Sequence, residues 1–440
     1  MSHQFAPAPA TLARELEAIA GADRVHPDAA QFAVDGITPA LAVSPGSVQE
    51  VAAILRIAAQ RQLIVVPAGG FTQQGIGRTP ERIDILLDMR RMNAIEHYDP
   101  GDLTMGVQAG AALEQVQNTV AEHGQLLPLD PARADVATIG GALATAVHGP
   151  LKFAFGGVRE FCIGVQFVTA DGKIGKGGGR VVKNVAGYDL MKLMIGSFGT
   201  LGVITSANFK VFPRPRQTRT FLSEFSSLQK ALAFRDGILR SPLQPMALEI
   251  MSPIAEMHLG AMLDGAYWRV LLRAGGSDAV LNRYRAELGS AVARELQGDQ
   301  EAQLWWAVSN FSETVVANFP GAMLMDLSVP INSVGAALSA AESSAVRNGC
   351  TFAAVGRSIG SLVLAFVPLA NSRACNYAAV AAGVRAALPR DASAVISRCP
   401  RVAKSKLDVW GSTPTDLETM RIIKRALDPQ DILNRGRFLL

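Results

Sequence analysis

The sequence predicts an α+β protein built from more than one packed unit, and three observations carry that prediction. Between residues 41 and 90, short β-branched runs alternate with an amphipathic helical stretch. Glycine-rich motifs crowd the N-terminal half and stop at Pro213 to Pro215, after which strand and helix patterns alternate without them. The chain is also long, 440 residues with 49% hydrophobic and 18% charged, which is enough for more than one core and excludes wholesale disorder. The expected division is a helical segment over 1–34 and a glycine-rich domain over 35–215, in subdomains of about 35–93 and 94–215. A second α+β domain follows over 216–415, and a C-terminal segment over 416–440 returns to the first domain.

The N-terminus lacks a continuous apolar core, so it reads as a short amphipathic helix and not as a signal peptide. Residues 41 to 90 read as a βαβ unit. A short strand starts at Leu41. Ser47 is the expected N-cap of a helix from Val48 to Gln60, with Val51, Ile54, Leu55 and Ala58 on one face. A buried strand over Leu63 to Val66 ends in the turn Pro67 to Gly75, and Ile83 to Leu87 is the next strand. A glycine-rich turn directly after a buried strand lets backbone amides converge on an anion. Taken alone, an ordinary strand-to-loop turn explains it equally well.

A strand over Leu103 to Val107 opens the second subdomain, and a helix over Ala112 to Glu122 turns Leu113, Val116 and Val120 inward. Leu126 to Pro131 is extended, because a residue before proline avoids the helical region. In Ala137 to Thr145 small residues recur at close spacing. They leave room for a flat ring against backbone, or they let a helix pack tightly on a sheet. The glycine cluster Gly177 to Gly179 follows, then an amphipathic stretch over Tyr188 to Ile195 with Leu190, Leu193 and Met194 at helical spacing. Gly196, Gly199 and Gly202 recur every third residue, which is neither helix nor strand. The pattern predicts a loop whose amides and carbonyls face something other than protein, ahead of a buried strand at Val203 to Thr205.

Beyond Pro215 the expected strands are Phe221 to Phe225, Ala247 to Met251, Tyr267 to Arg273, Met323 to Val329, Thr351 to Val355, Leu362 to Val367 and Ala394 to Ser397. The expected helices are Leu228 to Leu239, Ala279 to Leu296, Val334 to Arg347 and Ser372 to Leu388, with a last helix over Asp416 to Leu427. The strand–helix–strand unit occurs twice, which predicts two related halves sharing one sheet with helices on a face. Trp305 and Trp306 are either core or the roof of a cavity.

The 42 basic and 38 acidic residues leave +4, too mild for a nucleic-acid binder, and no Lys/Arg run supports one. No lysine precedes Lys152, and five lie between Lys152 and Lys192, a solvated surface or a positive rim. Cys162, Cys350, Cys375 and Cys399 include no CxxC-type pair, so the chain itself offers no iron–sulfur or zinc site. Few cysteines in a long chain suit a reducing compartment. No apolar run approaches the roughly 18 residues of a membrane span. The expected location is cytoplasmic, with any attachment to the inner membrane made through partners.

The run from Gly177 to Pro213, GGGRVVKNVAGYDLMKLMIGSFGTLGVITSANFKVFP, resembles the FAD-binding domain of the vanillyl-alcohol-oxidase-like (PCMH-type) flavoproteins. Within that family, RVVKNVAGYDL and GSFGTLGVIT look like the FAD-binding subunit type of bacterial glycolate oxidases. The resemblance extends from about Asp35 to Pro215 and reappears at the C-terminus as LDPQDILNRGRF. It implies a two-subdomain FAD-binding fold followed by a cap domain with an antiparallel sheet. It implies cofactor contacts at Pro67, Gly69, Gly70, Phe71, Thr72 and Gln73, the first loop holding the pyrophosphate. Further implied contacts are Pro128, Asp130, Thr138, Gly140, Gly141, Ala144 and Gly149, and then Gly199, Thr200, Gly202, Val203 and Ile204.

The departures from the family pattern are informative. Phe71 stands where a third glycine is usual, Ala68 where an arginine is common, and Arg435 where proline is usual. Phe198 replaces a glutamate of hydroxy-acid relatives. Those relatives also carry a metal-holding, histidine-containing motif in the cap, whereas the sole cap histidine here is His258. No divalent metal is therefore expected, and the chain reads as the flavin-binding subunit type. The first loop has no histidine, so FAD is expected to be non-covalent; His148 is the alternative attachment point, though a structural role suits a lone histidine better. The catalytic base is not legible. Candidates are Arg180, Lys183, Tyr188 and Asn434, with Asn184 and Asp189 also able to face a flavin edge; surface salt bridging explains Arg180 and Lys183 equally well.

Three functions stay open at this stage. One is the FAD subunit of a glycolate (2-hydroxy-acid) oxidase, working beside a homologous flavoprotein subunit and an iron–sulfur subunit. The second is a stand-alone FAD oxidoreductase of another alcohol or hydroxy acid. The third is an inactive flavin-bearing scaffold.

Overall fold

A computed structural model describes residues 10–180, 189–259, 267–369 and 375–439. The N-terminal helix Ala10–Ala20 packs Leu12 and Leu16 onto the first subdomain. That subdomain carries a four-stranded sheet in the order Val25–His26, Leu41–Val43, Ile85–Asp88, Val65–Ala68. The strands Leu41–Val43 and Val65–Ala68 both run parallel to Ile85–Asp88. The connecting helix Val48–Arg61 starts where the sequence says it should. Ser47 Oγ accepts from Glu50 N at 3.2 Å, and the Glu50 carboxylate reaches back to Gly46 N at 2.7 Å. This reciprocal arrangement satisfies amides that a helix start otherwise leaves open. The predicted face, Val51, Ile54, Leu55 and Ala58, is fully buried.

The second subdomain is a five-stranded antiparallel sheet ordered Ile95–Asp99, Thr104–Gln108, Val203–Lys210, Cys162–Val168, Ile174–Gly178. Two of its strands, Ile95–Asp99 and Cys162–Val168, were not legible in the sequence, and Gly177 and Gly178 belong to the edge strand instead of a free loop. Helices Leu113–Ala121 and Ile139–Thr145 close its core. The amphipathic stretch forms a short helix, Leu190–Met194, on a different face from the one expected. Met191 and Met194 are buried, whereas Leu190 and Leu193 are exposed.

The cap is one eight-stranded antiparallel sheet in the order Arg294–Leu296, Gln217–Phe225, Trp268–Gly276, Ala247–Met251, Cys350–Arg357, Ser361–Pro368, Met323–Ser328, Ser393–Arg398. Two corrections concern its helices. The expected helix Ala279 to Leu296 ends at Leu288, because Gly289 takes φ +53°, and Arg294–Leu296 becomes the edge strand. Helices also cover both faces. Leu228–Arg240, Asp278–Leu288, Val334–Arg347 and Tyr377–Arg385 lie over one, while Gly298–Ser309 and Phe311–Asn318 pack Leu304, Trp305, Val308, Phe311 and Val315 onto the other. Trp305 is core, its indole N–H donating to Thr220 Oγ1 at 2.7 Å, and Trp306 is 66% exposed.

Cys350 and Cys375 form a disulfide, a pairing that their spacing does not announce; Cys162 is buried and free, and Cys399 is half-buried and free. Among the described residues no helix is long and apolar enough to cross a membrane.

The last helix, Leu417–Leu427, leads the chain back to the first subdomain. Val65 N donates to Ile432 O at 2.8 Å and Asn434 N to Val65 O at 3.0 Å, so the tail adds a short parallel bridge to the strand Val65–Ala68. Lys424 fastens this return. Its buried ammonium donates to Asp428 Oδ2 at 2.5 Å, Thr200 O at 2.9 Å and Leu433 O at 3.2 Å. Asp428 in turn accepts from the amides of Ile432 and Leu433 at 3.0 and 2.8 Å.

Candidate functional site

Four separated stretches of chain meet at one cleft with about 830 Å³ between its walls, mouth included. The turn from Pro67 to Gln74 forms one wall, Thr138 to Thr145 a second, and Phe198 to Ile204 a third; the C-terminal tail adds Asn434 and Arg437.

The cleft is narrow because its walls lean on each other through missing side chains. A Cβ on Gly70 would overlap the Val136 carbonyl, and one on Gly69 the Thr138 hydroxyl. These two glycines therefore serve close packing between the walls. Gly141 differs: a Cβ there meets only the Thr138 hydroxyl, at 3.3 Å, and otherwise enters open space. Gly199 has φ +65°, which an L side chain adopts at a cost. Gly202 does not; its reason is crowding, with Val168 O at 3.1 Å and Phe167 at 3.2 Å from an added Cβ.

Three non-glycine residues lining the cleft also hold left-handed backbone: Phe71 at φ 60°, Phe198 at 53° and Asn434 at 45°. Such conformations cost on the order of 1 kcal/mol or more each and persist where surrounding structure enforces them. Asn434 shows the enforcement. Its Nδ2 donates to Phe198 O at 2.6 Å, while Phe198 N donates to Ala144 O at 2.8 Å. The Phe198 ring stacks on Phe438 at 5.2 Å and meets Trp410 edge-on at 5.0 Å. An aromatic cluster thus holds Phe198 at the cleft wall.

Among the described residues, two polar atoms in the cleft are buried without a protein partner: Asn434 Oδ1 and Arg437 Nη1. Arg437 Nη2 is used, donating to Gln74 O and Ile76 O at 2.6 Å each. Burial pushes the guanidinium pKa down to about 10, with Asp35 pulling the other way. Leaving such groups unsatisfied costs roughly 1–3 kcal/mol each, so a ligand offering a donor to Asn434 and an electron-rich oxygen or nitrogen to Arg437 fits this end of the cleft.

A second chamber, which carries charged side chains, adjoins the first. Gln73, Ile76, Thr145 and Phe198 line both. Its other walls come from the turn holding His148 and Lys152, the helix Phe311–Asn318 and the cap sheet, which supplies Asp326, Arg357 and Arg398. Arg398 Nη2 ties the cap to the first glycine turn, donating to Thr72 O at 2.6 Å. Arg357 donates to Gly149 O at 3.0 Å and His148 O at 3.3 Å, with Glu249 behind it at 3.8 Å. Burial raises the Glu249 and Asp130 carboxyls to about 7 each, against the pull of Arg357 on both.

The structure brings fifteen of the residues expected from sequence to the first cleft: Pro67, Gly69, Gly70, Phe71, Thr72, Gln73, Thr138, Gly140, Gly141, Ala144, Gly199, Gly202, Val203, Ile204 and Asn434. Four implied cofactor contacts line neither cavity. Thr200 is turned inward, its hydroxyl donating to Ser197 O at 2.7 Å and its carbonyl taken by Lys424. Asp130 is half-buried under the next turn, accepting from Leu151 N at 3.0 Å, and Gly149 is glycine because a Cβ would overlap Asp130. Pro128 is buried in the segment leading to it. Arg180 is exposed beyond the edge strand Ile174–Gly178 and also lines neither. Lys183, Asn184 and Tyr188 lie outside the described residues. Arg437, Arg398 and the Lys152 environment escaped the sequence reading, since isolated basic residues far apart in the chain carry no local signal.

With this geometry in view, the chain can be set beside known proteins. Residues 39–178 match the family described as FAD binding domain, and residues 214–387 and 410–438 match FAD linked oxidases, C-terminal domain. Glycolate oxidase subunit GlcE of Escherichia coli is 34% identical over 260 residues, 54% of this chain and 67% of that protein. D-2-hydroxyglutarate dehydrogenase of Xanthomonas citri is 30% identical over 426 residues, 89% of this chain and 88% of that protein. The chain belongs to the FAD-linked oxidases. As a member it is an FAD-dependent oxidoreductase. The matched span of some other relatives is shorter: D-lactate dehydrogenase of Archaeoglobus fulgidus is 34% identical over 51% of this chain and half of its own length, 50%. The fold of this FAD-linked oxidase is shared with 4-ethylphenol oxidase from Gulosibacter chungangensis, at a TM-score of 0.76, 18% identity and coverage of 99% and 98%. FAD suits the first cleft on the structure's own terms: narrow walls of small residues, an open face at Gly141, and unsatisfied Asn434 and Arg437.

Proposed function

We propose that this FAD-linked oxidase is the flavin-carrying subunit of a multisubunit 2-hydroxy-acid oxidase, with glycolate the expected substrate, handing its electrons to an iron–sulfur partner. FAD, bound without a covalent link, would be held in the first cleft by the turns at Gly69, Gly140 and Gly199. It supplies the hydride acceptor, and the chain's residues orient the substrate and receive its proton. Asn434 Oδ1 and Arg437 Nη1 would be available to bond FAD. The observation that carries this reading is the cleft itself, where glycine-bearing turns and the returning tail converge on two unpartnered polar atoms.

The subunit assignment is supported by the likeness to GlcE and by the cysteines. Two are paired with each other and the other two are isolated, so an iron–sulfur partner would have to take the electrons. The site of action we infer is the cytoplasm, with membrane contact only through partners. The test has two steps. Acid precipitation of the purified protein should release a yellow chromophore identified as FAD; a colourless protein, or flavin retained in the pellet, contradicts the reading. Glycolate or lactate oxidation with a dye acceptor should then be weak for the isolated chain and recover on adding partner subunits.

A second reading has its own support. The likeness to D-2-hydroxyglutarate dehydrogenase runs over nearly the whole chain, and it favours a stand-alone dehydrogenase. Brisk turnover by the isolated chain, without partners, selects it.

A further inference from the structure

The second chamber beside the cofactor cleft has an electrostatic feature that the flavin reading leaves unused. Three cations and two carboxylates line it. Arg398 has Glu313 at 3.4 Å, and Arg357 has Glu249 at 3.8 Å. Asp326 is held above the usual carboxylate value by its desolvated setting in the chamber, against the pull of Arg398 and Arg357. Lys152 forms no ion pair among the described residues. Its ammonium donates to the neutral Ser361 hydroxyl at 2.8 Å, which leaves charge uncompensated in a partly buried place. Burial and then Arg357 work against its charge, and Glu160 more weakly in its favour, so an arriving anion recovers part of what burial costs it.

On the same turn, His148 lines the chamber with Nδ1 buried and unpartnered among the described residues. Burial, then Arg357 and Lys152, hold its pKa well below the ordinary histidine value, and the weak pull of its own carbonyl goes the other way. The ring is therefore neutral at pH 7, with a nitrogen lone pair free to take a proton. A carboxylate settling on Lys152 screens one of the two cations that oppose protonation, so binding the substrate makes His148 a better base.

We propose that Lys152 anchors the carboxylate of a short 2-hydroxy acid in the second chamber and that His148 accepts the proton of its hydroxyl. The inference rests on the flavin and hydroxy-acid reading given above. In the step, the α C–H bond breaks and its electron pair leaves with the hydrogen as hydride to the bound FAD. The O–H bond breaks, its proton goes to His148, and the oxygen electrons close the C=O bond of a 2-oxo acid. The substrate loses two electrons, the flavin gains them, and no other co-reactant enters.

Oxamate, an unreactive isostere of a 2-oxo acid, separates binding from chemistry. Its affinity for the flavin-loaded protein is read by titration calorimetry, with the flavin spectrum recorded on every sample. Lys152→Met should weaken oxamate at least about tenfold with flavin content intact, and Lys152→Arg should restore it to within about threefold, as a lost and regained charge contact requires. His148→Gln should bind oxamate within about threefold of native, while anaerobic bleaching of its flavin by glycolate or lactate slows at least about a hundredfold, the scale of a removed general base. Equal oxamate affinity in native and Lys152→Met protein overturns the anchor, as does native protein that carries flavin but binds no oxamate. Unchanged bleaching in His148→Gln overturns the base. A native protein purified without flavin sinks the proposed function itself, a result distinct from all of these.

Discussion

The two adjoining cavities are built in opposite ways. The cofactor cleft is made of main chain and small side chains brought close by turns, and most of its lining residues sit in a few short stretches of sequence. The second chamber is lined by apolar and polar side chains drawn from both domains, with Lys152, Glu313, Arg357 and Arg398 among them, and its lining residues run from Gln73 to Trp410. A cleft of the first kind holds a large, fixed cofactor, because backbone geometry is costly to change. A chamber of the second kind can be retuned one side chain at a time, which suits discrimination among small substrates. Substitutions in the first should therefore act on flavin content, and substitutions in the second on substrate binding and charge balance.

The largest effect is expected where the frame of the cleft is fastened. Lys424→Met strands Asp428 as a buried carboxylate and frees the carbonyls of Thr200 and Leu433. A broken buried pair of this kind costs roughly 3–5 kcal/mol. Denaturant unfolding should report that loss together with a fall in bound flavin. A loss below about 1 kcal/mol would mean that the tail is held by other contacts.

Gly141→Leu tests the cleft itself. Its side chain points into open space, so flavin occupancy should fall at least about tenfold while the apoprotein melts within a few degrees of native apoprotein, as expected when packing is untouched. Full flavin occupancy in this variant would move the cofactor away from the wall formed by Thr138 to Thr145.

A smaller, pH-dependent effect belongs to two carboxyls that line neither cavity but lie under the pull of Arg357. Glu249 and Asp130 have pKa values of about 7 in the folded protein, raised first by burial. A raised carboxyl pKa means that the folded state keeps a proton the unfolded state has released. Stability from each group is therefore full below about pH 4, falls as pH rises from there through 7, and is flat above, by at most about 1.4 kcal/mol per pH unit while the proton counts differ. Glu249→Gln removes one such group. Its melting temperature relative to native should be higher at pH 8 than at pH 5. The same difference at both values would place a charged Glu249 in the fold at pH 5.

The smallest effect is expected outside both cavities. Trp306 is 66% exposed and lines neither, so Trp306→Ala should change stability by less than about 0.5 kcal/mol and leave flavin content alone. A loss of electron transfer to a partner subunit, with the isolated chain unaffected, would assign that surface to assembly.

By itself, the sequence determined the parts whose physics is local. The Ser47 cap and the Val51, Ile54, Leu55, Ala58 face announce their helix, because capping and helical spacing are properties of neighbouring residues. The turns at Gly69, Gly140 and Gly199 were legible for the same reason, since a missing side chain marks a close approach wherever the partner lies. Tertiary structure decided the rest. Leu193 is exposed and Met191 buried because the sheet, not helical spacing, chose the face that is covered. Thr200 lies within a predicted contact stretch, yet its carbonyl is claimed by Lys424 from the far end of the chain. Lys152, Arg357 and Arg398 become one chamber only when the cap sheet folds over the turn at His148. Charges far apart in a chain carry no periodic signal, and their burial, pairing and protonation depend on what packs against them from elsewhere.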